Sequence, residues 1–192
     1  ILFIAHRFPP YTGGTPGRVY RISRGLSLRG HEVVVCTSTH PRVPRIQETE
    51  GLRVERYDLL HPAIARFMKS PYYIMPGMIG LLGKRKEPLA ADIVQTFNFL
   101  SYVSFIGAGM KLLRKRIFAL SPIIMHHSEF LQEFRSIYER KGTKAFLSDQ
   151  LLTAYFLTFG VGIVKCADLV FPQTRMEKNV LVDYGVDPDK IK

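Results

Sequence analysis

The sequence has few features typical of membrane-spanning, metal-binding or disulfide-bonded proteins. Its 192 residues include only two cysteines, Cys36 and Cys166, and their wide separation fits neither a metal site nor a redox motif. No stretch reaches the roughly 20 uninterrupted apolar residues that a membrane-spanning helix needs. No basic segment precedes the apolar opening run Ile1–Ala5, so we expect no signal peptide and a cytoplasmic protein.

Acidic residues are also scarce, since 16 Asp and Glu accompany 27 Lys and Arg, which gives a formal net charge of +11. Such an excess favours an anionic partner, such as a phosphate, a nucleic acid or an acidic membrane surface, without choosing among them. Nucleic acid ranks last because no recognised nucleic-acid-binding motif accompanies the charge. With 46% hydrophobic and 22% charged residues, the composition is ordinary for a globular protein, and we expect one domain over residues 1–192.

Short apolar runs alternate with amphipathic segments along most of the chain. The predicted strands are residues 1–5, 32–37, 52–57, 92–96, 122–126 and 169–172, and the predicted helices are residues 18–29, 102–114, 144–165 and 175–183. Residues 38–50 are predicted as a loop, and residues 61–90 as short, irregular helices. Strands that alternate with helices form parallel pairs, so the sequence predicts an α/β fold with a Rossmann-like, doubly wound, mostly parallel sheet flanked by helices.

A loop rich in proline and glycine, residues 7–17, follows the first predicted strand. In open α/β sheets, ligands bind at the carboxyl ends of the strands, where this loop lies. Glycine lets the backbone approach a ligand closely, and the start of the following helix offers free N–H groups to an anion. We therefore predict that Gly13, Gly14 and Thr15 bind a phosphate or a sugar hydroxyl, with a plain tight turn as the alternative.

Two widespread nucleotide-binding patterns do not fit this loop. A dinucleotide site needs G-x-G-x-x-G against the first strand and an acidic residue at the end of the second, where this chain has Val35-Cys36-Thr37. A Walker motif needs Gly-Lys followed by Ser or Thr, and the sequence lacks it. The loop therefore either binds a different kind of ligand or is only a tight turn.

The order of these features resembles the N-terminal domain of retaining family 4 (group 1) glycosyltransferases, which have the GT-B fold. The segments that carry the resemblance are Phe8-Pro9-Pro10, Gly13-Gly14, Arg29-Gly30-His31-Glu32-Val33, Ala91-Asp92-Ile93-Val94, Pro122-Ile123-Ile124-Met125-His126-His127 and Ala167-Asp168-Leu169-Val170. The resemblance implies that this domain is the acceptor-side half of a GT-B architecture. A second Rossmann-like domain would then follow Lys192 and bind the nucleotide sugar with two glutamates, so this fragment alone should be inactive.

The resemblance also implies roles for individual residues. In the family a strand-end histidine faces the reacting sugar, a catalytic role that we transfer to His127, with His126 as the alternative because adjacent strand residues point to opposite faces. The glycine loop would bind the donor diphosphate, while no bound metal and no cofactor are implied. Ser128 departs from the family, which usually has glycine or another small or acidic residue after the histidine. The candidate acceptor contacts are Arg7, Asn98, His126 and Glu129.

The expected function is that of a retaining, hexosyltransferase-type glycosyltransferase, which moves a sugar from a nucleotide-sugar donor to a lipid-linked or saccharide acceptor. The alternative is a non-catalytic module on the same fold that binds a membrane or an anionic polymer. Apolar segments at 72–75 and 78–82 with flanking cations predict peripheral association with an anionic membrane, although a buried helix pair with a charged edge would look alike. The cations are Lys84, Arg85, Lys86, Lys111, Arg114, Lys115 and Arg116.

Overall fold

The computed structural model describes residues 1–60, 75–83, 90–98, 101–122 and 156–192. The strands of this part are β1 (Leu2–Ile4), β2 (Val33–Ser38), β3 (Ile46–Thr49), β4 (Leu52–Tyr57), β5 (Ile93–Phe97), β6 (Ile117–Ser121) and β7 (Leu169–Val170). The α-helices are α1 (Gly14–Ser27), α2 (Tyr102–Arg114), α3 (Val161–Cys166) and α4 (Arg175–Asp183). Two 3₁₀ segments are present in this part, at Pro76–Leu82 and at Pro188–Lys190, and a π-helical turn at Phe156–Gly160 leads into α3.

These strands form one sheet in the order β3-β4-β2-β1-β5-β6-β7, and every neighbouring pair except β3 and β4 is parallel. The chain runs outward from β1 through β2 to β4 and then returns to β5 on the other side of β1. The strand order therefore reverses between β1 and β5, and ligands of open α/β sheets bind at such a reversal, outside the carboxyl ends of the strands. The predicted Rossmann-like, mostly parallel sheet is confirmed.

Strand β1 is buried on both faces, which explains its continuous apolar sequence. Adjacent side chains of a strand point to opposite faces, so Phe3 packs in the cluster that contains Val19 of α1. Leu2 and Ile4 pack on the other face, in the cluster that contains Met110 of α2. Helices thus cover both faces of the sheet, as a doubly wound fold requires.

The predicted loop at residues 38–50 contains an edge strand, so that prediction was wrong for residues 46–49. Strand β3 pairs antiparallel with β4 through Glu50 and Gly51, whose φ angles are 49° and 74°. Two consecutive positive φ values belong to the type I′ turn, which matches the natural twist of a hairpin. The strand escaped notice because its side chains are polar or, for Ile46, exposed, as is common at sheet edges.

The sixth strand lies earlier than predicted. We expected a strand at residues 122–126, but β6 is Ile117–Ser121 and Pro122 lies outside it, while residues 123–126 fall outside the described ranges. Lys115 ends α2 in a left-handed conformation with a φ of 54°, so the chain turns into β6 within two residues. Of the side chains that this places in the sheet, Phe118 and Leu120 are fully buried, whereas Ile117 at the start of the strand is exposed.

Helix α1 begins at Gly14, four residues earlier than predicted, so residues 15–17 form its first turn rather than an extended loop. A proline is tolerated there because the N–H that it lacks would have no partner within the helix. The predicted stop is confirmed: Gly30 has a φ of 87°, and the next amide, that of His31, donates to the carbonyl of Leu26 at 3.2 Å. This is a Schellman ending, which satisfies a free carbonyl of the last turn.

Two further predictions are tested only in part. The described end of the predicted helix at 144–165 is helical, and residues 144–155 lie outside the described ranges. In the region 61–90, the short 3₁₀ segment Pro76–Leu82 agrees with the prediction of irregular helices. Met78 and Leu81 of this segment are buried, as expected for a buried helix rather than for a membrane-contacting patch. Ile79 of the same segment is 57% exposed.

Asp168 joins three elements at the amino end of β6. Its carboxylate accepts hydrogen bonds from Lys111 Nζ of α2 at 2.6 Å and from the Phe118 backbone N–H at 2.9 Å. Burial by itself raises the pKa of Asp168, but these two hydrogen bonds, with the charges of Lys111 and Lys190, outweigh burial and hold that pKa below its ordinary value. Lys111, which we predicted among the cations that flank the apolar segments, therefore forms an ion pair within the fold.

Candidate functional site

A cleft of about 430 Å³ opens at the carboxyl ends of β5 and β6, beside the reversal of strand order. Helices α1 and α4 both begin at this cleft, and their first turns form two of its walls. The lining residues are Gly14, Thr15, Arg18, Arg21, Phe97, Ser121, Gln173, Thr174 and Glu177. The position is the one at which an open α/β sheet binds a ligand.

The predicted glycine loop forms the start of α1. Gly13 precedes the helix with a φ of 137°, a conformation that suits glycine, and no side chain caps this end. The first-turn amides of Gly14 and Thr15 have no acceptor within the helix. A Cβ added at Gly14 would meet no heavy atom within 4 Å, so the backbone here is open to the cleft. The arrangement can offer main-chain N–H groups to an anion.

The start of α4 differs from that of α1 because a neighbouring side chain caps it. Thr174 caps the helix and accepts a hydrogen bond from the Glu177 backbone N–H at 3.1 Å. The Glu177 carboxylate in turn accepts a hydrogen bond from the backbone N–H of Gln173. This capping satisfies one free N–H of the first turn and places a negative charge at the positive end of the helix. Of the two helix starts at the cleft, α1 is the one without a side-chain cap.

Two arginines supply positive charge to the wall that α1 forms. Burial lowers the pKa of Arg18, and attraction to Glu177 opposes that shift. The guanidinium of Arg21 folds back along the helix, within 3.5 Å of the position that a Cβ on Gly17 would occupy. The described lining residues therefore include two positive side chains, Arg18 and Arg21, and one negative side chain, Glu177.

The segment between β1 and α1 is held by contacts with more distant parts of the sheet. Arg56 of β4 is only 5% exposed, and its guanidinium donates to the carbonyls of Pro9 and Pro44, each at 3.1 Å. The Tyr11 hydroxyl donates to the carbonyl of Thr39 at 3.0 Å. These contacts fix the backbone ahead of Gly13, so the start of α1 is preorganised rather than shaped by a ligand.

The predicted acceptor contacts lie in different places relative to the cleft. The guanidinium of Arg7 lies over the ring of Tyr11, 5.2 Å from its centroid, and Arg7 does not line the cleft. Asn98 follows β5 with a φ of 71°, and its buried side-chain oxygen has no hydrogen-bond partner among the described residues. An unsatisfied buried acceptor of this kind is consistent with ligand binding. His126, His127 and Glu129 lie outside the described residues, and their roles stay predictions.

Comparison with protein families assigns the chain. The model of Glycosyltransferase Family 4 matches residues 12–192, which is almost the whole sequence. The chain belongs to this family. No curated protein matches it in sequence.

Solved structures share the fold of this family 4 domain. It is similar to HepE from Anabaena, solved with UDP and glucose, with a TM-score of 0.58 at 12% identity. It is also similar to sucrose-phosphate synthase from Thermosynechococcus elongatus, with a TM-score of 0.61 at 12% identity. All of this chain is covered, but it spans only 42% and 47% of those two chains. The predicted family and the predicted fold, an N-terminal GT-B domain, are both confirmed.

Sequence reasoning missed most of the family 4 domain's cleft. Only Gly14 and Thr15 among its lining residues were predicted. The capping pattern Thr174-x-x-Glu177 was a readable signal for the start of α4. Nothing local indicates that this helix begins beside α1, so the other lining residues could not have been grouped: Arg18, Arg21, Phe97, Ser121 and Gln173.

The described residues of this domain show neither a cluster of metal-ligand type nor a membrane-spanning helix. They contain no group of three or more His, Cys, Asp or Glu side chains that could hold a metal ion. Asp187 and Asp189 form an Asp-x-Asp sequence, but the Asp187 carboxylate accepts the Asp189 backbone N–H at 3.0 Å as a local cap. None of the helices in these ranges is long and apolar enough to cross a membrane. The absence of a metal stays a prediction.

Proposed function

We propose that this domain is the acceptor-side half of a retaining glycosyltransferase that moves a sugar, of hexose type, from a nucleotide-sugar donor to a lipid-linked or saccharide acceptor. The observation that carries the proposal is the uncapped start of α1 on the cleft at the reversal of strand order, in a chain of family 4. Structures of HepE with UDP and with UDP-glucose support the choice of donor class.

The chemistry assigned to this end of α1 is stabilisation of the departing diphosphate. Negative charge grows on the leaving group as the bond to the sugar breaks, and fixed N–H donors stabilise it without having to reorganise. Gly14 and Thr15 would supply those donors, and the excess of arginine over glutamate among the described lining residues supports the assignment. No metal is needed for this step in the proposal, so chelation with EDTA should leave transfer unchanged.

A second α/β domain beyond Lys192 would complete the cleft and bind the nucleotide. His127, or alternatively His126, would face the reacting sugar and donate a hydrogen bond as charge develops. Asn98, with its unsatisfied side-chain oxygen, is the acceptor contact that the geometry supports best. Alanine variants of the two histidines test this choice, because only the variant that removes the hydrogen bond to the reacting sugar should lose kcat sharply.

The experiment that tests the function uses the full-length protein. Calorimetric titration with UDP and UDP-glucose should show binding, and NMR of the product should show that the anomeric configuration of the donor sugar is kept. Binding of neither nucleotide, with no transfer to any saccharide or lipid-linked acceptor tried, would contradict the proposal. It would favour the alternative of a non-catalytic module.

Peripheral membrane association is a finer part of the same proposal. At the end of α2, Leu112 and Leu113 are 72% and 68% exposed, and the exposed Lys115 follows them closely. Exposed leucines beside cations suit the surface of an anionic bilayer. This end of α2 leads into the amino end of β6, opposite the cleft, so contact here would tether the protein. Flotation with anionic liposomes should show binding that a Leu112→Gln, Leu113→Gln variant loses; no wild-type binding at physiological salt would refute it.

A further inference from the structure

Two guanidinium groups in the cleft have no partner within the described parts of the chain. Arg18 and Arg21 both line it, and neither donates a hydrogen bond to, or forms an ion pair with, any described residue. A guanidinium has five N–H donors, and removing it from water without supplying acceptors is unfavourable. For the half-buried Arg18 that loss of hydration already lowers the pKa. Arg18 is thus placed for an acceptor that the described chain does not supply, and the exposed Arg21 lines the same cleft.

The positions of these charges on α1 reinforce the point. Anions stabilise the start of a helix and cations its end, yet the first turn of α1 contains no acidic residue. Arg18 follows that turn, and Arg21 folds back towards it over Gly17. The carboxylate of Glu177, the one acidic side chain among the described lining residues, already accepts a hydrogen bond from the backbone N–H of Gln173, just ahead of α4. A helix start that lacks acidic residues and has arginines nearby is expected where a bound anion supplies the negative charge.

The geometry of the helix defines how a ligand would lie. Gly14, Arg18 and Arg21 are spaced i, i+4 and i+7, so they share one face of α1. At a rise of 1.5 Å per residue, the two arginines are displaced about 6 Å and about 10 Å along the axis from Gly14. A row of donors therefore extends from the main-chain amides to the side chains.

We propose that Arg18 and Arg21 are specificity-determining residues that bind a phosphate group of a substrate in this cleft, in competition with the charge of Glu177. The inference rests on the proposed function and adds side-chain contacts to the main-chain site. The phosphate belongs either to the donor diphosphate or to a phosphorylated acceptor, since guanidinium groups pair with the oxygens of both in the same way.

The test compares charge variants of the full-length protein by calorimetric titration at fixed ionic strength. The probes are UDP for the donor and inorganic phosphate for a separate phosphate group. Arg18→Gln should weaken binding of at least one probe about ten-fold or more, because a charge-assisted hydrogen bond is lost. Glu177→Gln should tighten the same binding several-fold, since it removes a negative charge while its amide oxygen can still accept from Gln173. Arg29→Gln, which removes an exposed charge at the far end of α1, should change neither affinity.

The outcomes separate the possible sources of the phosphate. A loss confined to UDP assigns the group to the donor, and a loss in phosphate affinity with UDP unchanged assigns it to the acceptor. Unchanged affinities for both probes in folded Arg18→Gln would overturn the inference, as would equal weakening by Arg18→Gln and Glu177→Gln, which indicates a structural pair. Failure of the wild type to bind UDP would instead overturn the proposed function.

Discussion

Replacing Gly14 by alanine separates what the start of α1 does for the fold from what it does for a ligand. Gly14 is the first residue of the helix, its φ is not positive, and an added Cβ would meet no heavy atom within 4 Å. Alanine favours a helix interior over glycine by about 1 kcal/mol, and by less at the first residue. The variant should therefore fold, with a Tm that is unchanged or at most about 2–4 °C higher.

The same methyl group should be harmful to ligand binding. Gly14 lines the cleft, so the methyl competes for space with an anion that approaches its N–H. Loss of one charge-assisted hydrogen bond costs about 1.5–3 kcal/mol, which corresponds to a Kd for UDP raised about 10- to 150-fold. Calorimetric titration of the full-length protein with UDP measures this change directly.

Gly25→Ala is the matched control, because it makes the same change three turns further along α1. A Cβ there would meet only the guanidinium of Arg29, at 4.0 Å, and Gly25 does not line the cleft. Its affinity for UDP should equal that of the wild type. A folded Gly14→Ala variant that binds UDP as tightly as the Gly25→Ala variant would refute the assignment of the α1 backbone to the ligand.

Three further predictions concern stability. The pKa of Asp168 is held below its ordinary value of about 4, so the stability that its ionised form contributes is complete above that pH. That stability is lost as the pH falls through the lower, folded-state pKa. Urea midpoints should therefore fall more steeply on acidification for the wild type than for Asp168→Asn. Gly107→Ala should destabilise by about 1–3 kcal/mol, because its Cβ would lie 2.5 Å from the ring of Phe118, whereas Gly162→Ala, with no atom within 4 Å, should not; equal urea midpoints would contradict this. Arg56→Met should cost about 1–3 kcal/mol because the carbonyls of Pro9 and Pro44 lose hydrogen bonds from a charged donor, and an unchanged midpoint would show that solvent replaces the guanidinium.

Local sequence determined those elements whose signals lie within a few residues. Periodicity and burial predicted β4, α2 and α4 with the bounds that the structure has, and Gly30 marked the end of α1 because glycine readily adopts the positive φ that a Schellman ending needs. At the cleft, Gly13 and Gly14 indicated the uncapped start of α1 for a similar reason, because the chain must turn after the first strand.

The tertiary structure decided the rest. Strand β6 was misplaced because a left-handed Lys115, which has no sequence signature, shortens the turn that precedes it. Arg18 and Glu177 stand far apart in the chain, and only the strand order brings α1 and α4 to one cleft. The sequence by itself established the doubly wound sheet and the end of α1, because hydrophobic periodicity and glycine act locally, whereas it placed the start of α1 four residues too late. The charged walls of the cleft depend on long-range pairing of parallel strands, which no local pattern encodes.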